Sequence, residues 1–271
     1  MVDPDSAENE LNPLWQALLS GNDPRLRRGR RMFRLMSPTA TDRCRLCCAG
    51  FDGFSAPLMR AMGRRPWLRN PHYCAKCESV MAEERGGAEI EIAMLFADVR
   101  GSTAMAAQLG SMAFAALMQR FLRVAMQAFI ASDAIVDKMA GDAVIALYVP
   151  GLTGADFRQR AVTAGLKLLH ATGHGDPDGP WLPIGVGVHA GEAFMGSIGV
   201  EGGNYQFTAL GDAMNYAARL VASAKSGEMV MSETIWRTVS KDMVAEACNL
   251  ELKGYVDVQR AYVARLPAVT R

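Results

Sequence analysis

"LFADVRGST", residues 95–103, closes an apolar run in which Ile90, Ile92, Met94 and Phe96 alternate as in a β-strand. The run delivers one carboxylate, Asp98, and then breaks into Gly-Ser-Thr, a loop that can start a helix. An acid at the tip of a buried strand has two readings here. It caps the helix that follows, or it converges with a second acid to hold a cation.

Working outward, the chain alternates strand and helix. The first strand is "AEIEIAMLFADV", and a helix over 111–132 carries Phe114, Leu117, Met118, Phe121, Leu122 and Ala125 at helical spacing. "AIVDKMA" and "AVIALYV" read as two strands of a hairpin turning at Gly141-Asp142. A helix over 155–171 leads to the strand "PIGVGVHAGEA", a glycine-rich loop over 196–211, a helix over 212–224 and a closing strand-helix-strand-strand. The opening order β-α-β-β-α-β is that of a ferredoxin-like α+β sandwich. In that topology Asp98 and Asp142 meet although 44 positions separate them. Two carboxylates joined by backbone carbonyls form a hard-oxygen site suited to Mg²⁺ or Mn²⁺.

Before this domain the composition changes. Residues 20–80 hold thirteen Lys or Arg against four Asp or Glu, within a chain whose net charge is only +1. Residues 1–24 read as disordered or a short helix ("PLWQALLSG"), 25–78 as a basic cysteine-rich module, 79–88 as a linker, and 89–271 as one domain. The acidic, polar start lacks a signal-peptide pattern and no apolar run reaches the length of a membrane span, so the reading is a cytoplasmic chain that is not in the membrane. Six cysteines in that setting are not a disulfide framework. Cys44-x2-Cys47 and Cys74-x2-Cys77, 26 residues apart, supply four thiolates; Cys48 and Cys248 fall outside the pattern. Four thiolates suit Zn²⁺ as a staple for a segment too short to build much core, with an iron–sulfur cluster as the alternative. The arginines at 27, 28, 30, 31, 60, 64, 65 and 69, with Trp67 among them, raise a nucleic-acid patch as a rival to a solvated face, and the solvated face is preferred. The methionines read as core filling and His189 as a structural histidine without a role.

Three motifs carry a resemblance. Phe96-Ala97-Asp98-Val99-Arg100-Gly101-Ser102, Lys138-Met139-Ala140-Gly141-Asp142 and "TALGDAMNYAARL" are similar, in order, to the motifs of class III nucleotidyl cyclase catalytic domains. The resemblance covers about residues 89–265 and implies cyclisation of a nucleoside triphosphate by two metal ions held by Asp98, Asp142 and the Val99 carbonyl. It implies further that Gly101, Ser102 and Thr103 present backbone N–H groups to phosphate. Asn215 would orient the ribose, Arg219 would stabilise the transferring phosphate, and Lys253 would contact phosphate. Lys138 and Thr208 match the adenine-selecting pair, where guanylyl cyclases typically carry Glu and Cys; a lysine can donate to an adenine ring nitrogen but cannot accept from guanine. The implied activity is ATP to cyclic AMP and pyrophosphate in a homodimer, with the cysteine module as regulator. A degenerate nucleotide-binding regulator is the alternative, and the complete motif set argues against it.

Overall fold

The computed structural model describes residues 13–67, 71, 73–83, 86–199, 205–241 and 243–267. The segment 1–12, read as disordered, and Arg69 lie outside them. By packing, the chain falls into two units.

The larger unit takes residues 91–148, 156–192 and 211–271. It contains most of β1 (Gly86–Val99), then α5 (Ser102–Leu109), α6 (Ser111–Ala131), β2 (Ile135–Ala140), β3 (Ala143–Tyr148), α8 (Phe157–Ala171) and the first part of β4 (Ile184–Gly199). After these come α9 (Asp212–Ser223), β6 (Glu228–Ser232), α10 (Glu233–Val239), β7 (Glu246–Leu250) and β8 (Gln259–Arg265). The sheet order is β2-β3-β1-β4-β6-β8-β7. Its first four strands, with α6 and α8 as crossovers, are the ferredoxin-like α+β arrangement; β4 then pairs parallel to β6, and β8 and β7 extend the sheet antiparallel.

Apolar spacing explains which faces are covered. On α6, Met118, Phe121, Ala125 and Phe129 recur every three or four residues and are buried with Leu168 and Leu169 of α8 and Ile235 and Val239 of α10. Along β6, Met229 and Met231 belong to that core while Val230 faces a second one with Leu220 and Ala224, so α9 covers the opposite face. Tyr148, wholly buried, keeps its hydroxyl satisfied by Ser132 at 2.9 Å.

The other unit takes residues 1–90, 149–155 and 193–210. It holds α1 (Pro13–Leu19), α2 (Pro24–Met36), α3 (Ala56–Ala61), α4 (Ala75–Glu83), the start of β1, α7 (Pro150–Thr153), the end of β4 and β5 (Tyr205–Leu210). The basic stretch over 25–36, whose local structure the sequence left open, is helical, α2. Two local expectations are corrected here. Residues 79–88, expected as a linker, hold the end of α4 and the start of β1. The glycine-rich stretch over 196–211, expected as a loop, includes the β4–β5 hairpin, with Gly196 opposite Thr208. Its glycines serve close approach: a Cβ on Gly196 would lie 2.4 Å from the Gly86 carbonyl oxygen. No described helix is long and apolar enough to cross a membrane.

Candidate active site and metal centre

The end of β1 pairs with the start of β3, Asp98 opposite Ala143, and the Val99 N–H donates to the Asp142 carbonyl oxygen at 3.3 Å. The structure thus sets Asp142 beside Asp98. Gly141, at φ +65°, makes the turn that places it, a conformation that favours glycine. Asp98 does not cap α5: the cap is Gly101, at φ +70°, with no side-chain hydrogen bond to the first turn. The carboxylate is paired instead with the Arg100 guanidinium, whose own backbone N–H is fixed on the Pro183 carbonyl at 2.8 Å. Burial raises the Asp98 pKa above the usual carboxylate range and the charge of Asp142 adds to this, while Arg100 opposes it. Two adjacent acids, one half-buried, are a donor set whose charge a divalent cation relieves. Arg100 was not singled out in the sequence, although a cation two residues from Asp98 was there to be seen.

Lys138 is exposed on β2, its ammonium 3.5 Å from Asp137, whose side chain is fully buried. A β-bulge between Val136 and Lys138 re-aims the strand here. Asp137 too was missed, though an acid in an apolar strand is a visible signal. On α9, Ala213, Met214, Ala217, Leu220 and Val221 are buried, which turns Asn215 and Arg219 outward, one turn apart and exposed. The helix seats closely on β4 because Gly187 lacks a Cβ; one there would lie 2.4 Å from the Val221 nitrogen. Lys253 is exposed in a tight turn whose Tyr255 hydroxyl donates to Asp212 at 2.8 Å, tying that turn to the start of α9. Behind Asn215, Tyr216 packs on His189 with ring centroids 4.5 Å apart and meets Tyr255 edge-on at 5.3 Å. Burial pushes His189 down to about 4, so it is neutral near pH 7. Among the described residues no hydrogen bond or ion pair joins Asp98 or Asp142 to Asn215 or Arg219.

In the other unit, Thr208 is buried on β5 and its hydroxyl oxygen has no hydrogen-bond partner among the described residues. Burying a hydroxyl unpaired costs about 1–3 kcal/mol, so such a group favours a water or a ligand that supplies the missing hydrogen bond.

The four cysteines of the two CxxC pairs are all buried, their sulfur atoms within 4.8 Å of one another. Cys47 and Cys74 stand 3.8 Å apart. The Cys74 N–H donates to the Cys44 sulfur at 3.2 Å, and the Arg64 guanidinium donates to Cys47, Cys74 and Cys77 at 3.1, 3.8 and 3.9 Å. The other face of that guanidinium lies 4.1 Å over the Phe33 ring of α2. Hydrogen bonding within the cluster holds Cys74 well below the usual thiol range and Cys47 at about 7, and pushes Cys44 and Cys77 up. Four convergent soft donors fit a metal ion.

Several known proteins resemble this chain over part of its length. An adenylate cyclase of Anabaena cylindrica is 26% identical over 158 residues, 54% of this chain and 30% of that protein, so the chain spans under a third of this curated relative's length. The adenylyl cyclase CyaB from P. aeruginosa superimposes with a TM-score of 0.58 at 21% identity, over 67% of this chain and 98% of that one. The guanylate cyclase domain of RhGC from Catenaria anguillulae, solved in complex with GTP, gives 0.58 at 19% identity, over 65% and 97%. At those identities the two structures establish the fold. Residues 87–264 match the Adenylate and Guanylate cyclase catalytic domain, and the chain belongs to that family.

Proposed function

We propose that the chain is an adenylyl cyclase, converting ATP to 3′,5′-cyclic AMP and pyrophosphate in a homodimer with two shared sites. The observation that carries this reading is the pairing of Asp98 with Asp142 at the end of β1, immediately before the uncapped start of α5. In the reaction the 3′-oxygen bonds to the α-phosphorus, the bond from that phosphorus to the β-phosphate oxygen breaks, and the hydroxyl proton leaves to solvent. Two Mg²⁺ or Mn²⁺ ions, when bound, favour ionisation of the 3′-hydroxyl and neutralise the departing pyrophosphate.

The chain's own residues do the rest. Asp98, Asp142 and the Val99 carbonyl would hold the cations. Gly101, Ser102 and Thr103 bring N–H groups of the first turn of α5 to phosphate oxygens. From the partner, Asn215 orients the ribose, Arg219 stabilises charge on the transferring phosphate and Lys253 adds a phosphate contact. Their exposure in the single chain supports a site that a second protomer completes. Lys138 donates to a ring nitrogen of adenine, and the unpartnered Thr208 hydroxyl accepts from its 6-amino group.

Residues 25–78 are read as a zinc module that regulates the cyclase. One tetrahedral ion with Zn–S bonds of about 2.3 Å needs sulfurs about 3.8 Å apart, near the spacing observed. In an iron–sulfur cluster the thiolates surround an inorganic core and stand wider, so the spacing favours a single ion.

The test is turnover of ATP and of GTP in Mg²⁺ and in Mn²⁺, with products separated chromatographically and Asp98→Ala as the blank. Cyclic AMP lost in the variant, with GTP poor, is the expected result. Equal or greater turnover of GTP would overturn the base assignment, and no turnover of either would overturn the enzymatic reading.

A further inference from the structure

We propose that the tetrathiolate centre governs the placement of β5, the strand that carries Thr208, so that metal loading of the cysteine module sets how well the base is held. This deepens the adenylyl cyclase reading and rests on it for the role of Thr208, and on the zinc reading for the ion.

The cysteines fix the start of α4. Cys74 precedes the helix directly, Cys77 lies in its first turn, and the Cys74 carbonyl accepts from the Glu78 N–H at 3.1 Å. The strand-like bridge between Pro66 and Cys74, and the Ala75 N–H on the Arg65 carbonyl at 2.9 Å, hold the same point from the other side. From there α4 packs against β5. A second support comes from α1: Trp15, buried, stacks on Phe207 with centroids 5.5 Å apart and planes at 24°. Phe207 and Thr208 are successive strand residues and so face opposite sides, Phe207 toward Trp15 of α1 and Thr208 away from it. Among the described residues β5 pairs with one strand only, β4, which makes it an edge strand whose position depends on what covers it.

Arg64 shows that the centre is built for charge. Four thiolates around one divalent ion carry a net double negative charge, and the only guanidinium within hydrogen-bond distance of the sulfurs, among the described residues, donates to three of them. Outer hydrogen bonds of this kind change metal affinity by about 10–100-fold. When the ion leaves, the four sulfurs lose their common bond, Arg64 loses its anionic partners and the first turn of α4 loses its anchor.

The experiment is a zinc titration of chelator-stripped full-length protein, reading bound metal and amide hydrogen exchange together, for wild type and Arg64→Gln. Protection of β5 (residues 206–209) is expected to rise about tenfold or more with a midpoint that coincides with zinc uptake, and both midpoints should shift together, by about 10-fold, in Arg64→Gln. Protection of β3 should not change. In turnover, the stripped enzyme should show a raised KM for ATP with kcat nearly unchanged. Zinc taken up with β5 exchange flat would overturn the coupling, as would loss of protection in β3 along with β5, which means wholesale unfolding. No zinc uptake would overturn the ion assignment instead. Absence of cyclase turnover, with the exchange result intact, would overturn the adenylyl cyclase reading and with it the role given to Thr208, and would leave the coupling of the centre to β5 standing.

Discussion

Replacing Gly187 by alanine is expected to disable the enzyme without touching a substrate group. Gly187 lies on β4 opposite Val230 of β6, directly under α9. The new Cβ would stand 2.4 Å from the Val221 nitrogen, 2.9 Å from the Val221 Cα and 3.0 Å from the Ala217 carbonyl oxygen. All three atoms are backbone, so no side chain can rotate away, and the helix must retreat by about 1 Å to reach ordinary contact near 3.5 Å. Overpacking of this kind costs about 1–3 kcal/mol. The functional loss is larger in proportion, because α9 carries Asn215 and Arg219, and a misplacement of about 1 Å lowers turnover about 10²-fold. Urea unfolding should show a lower midpoint at unchanged m, and initial-rate cyclic AMP formation should fall with most of the effect in kcat. A stability loss below about 0.5 kcal/mol, or turnover within a factor of two of wild type, would refute the argument that α9 must sit this close to act.

Three further outcomes follow from the site. Exchanging the proposed base-reading pair, Lys138→Glu with Thr208→Cys, replaces a donor by an acceptor and should change the ATP-to-GTP ratio of kcat/KM by about 10–100-fold toward GTP; an unchanged ratio would remove both residues from base selection. Arg100→Ala takes from the half-buried Asp98, beside Asp142, the one cation that pairs with it among the described residues, which should lower stability by about 1–2 kcal/mol in chelator, and saturating Mn²⁺ should restore more Tm than in wild type. Equal Mn²⁺ stabilisation of both proteins would show that Arg100 does not share the acid with a cation. His189 is neutral when folded, its pKa depressed by burial to about 4, whereas unfolded it titrates near 6.5. The unfolded chain therefore binds the extra proton between those values, so this contribution is complete above about pH 6.5 and is lost as pH falls toward 4, a difference on the order of 3 kcal/mol. Unfolding free energies against pH should be flatter over that window in His189→Phe, and parallel curves would contradict the assignment.

What could be read in the chain alone followed from how local each feature is. The β1 run and the Gly141-Asp142 turn are short-range patterns, and the ferredoxin-like order follows from them, which is why Asp98 and Asp142 could be placed together from so far apart in sequence. Apolar spacing on α6 likewise shows in the sequence which side chains face in, whereas the outward face of Asn215 and Arg219 on α9 comes from the structure. The stretch over 196–211 was misread because glycine punctuates loops and also permits close backbone approach. Only the neighbours of Gly196, which lie on the far side of the sequence at Gly86 and Gly87, distinguish the two uses. The same limit hid the stacking of Trp15 on Phe207 and the packing of α4 on β5, since neither has any local signature. Arg64 was noted as one more basic residue; its position over Phe33 and against three cysteine sulfurs is a tertiary fact.

The most direct test of a site shared between two copies is subunit mixing. Asp98→Ala and Arg219→Ala should each be inactive alone. Mixed in equal amounts under conditions of demonstrated exchange, half the dimers should be mixed, each with one intact site of two, so cyclic AMP formation should recover to about a quarter of wild type. A mixture that stays inactive while exchange is complete would contradict the account, because it would mean that Asp98 and Arg219 serve the same site from one chain or serve no common site at all.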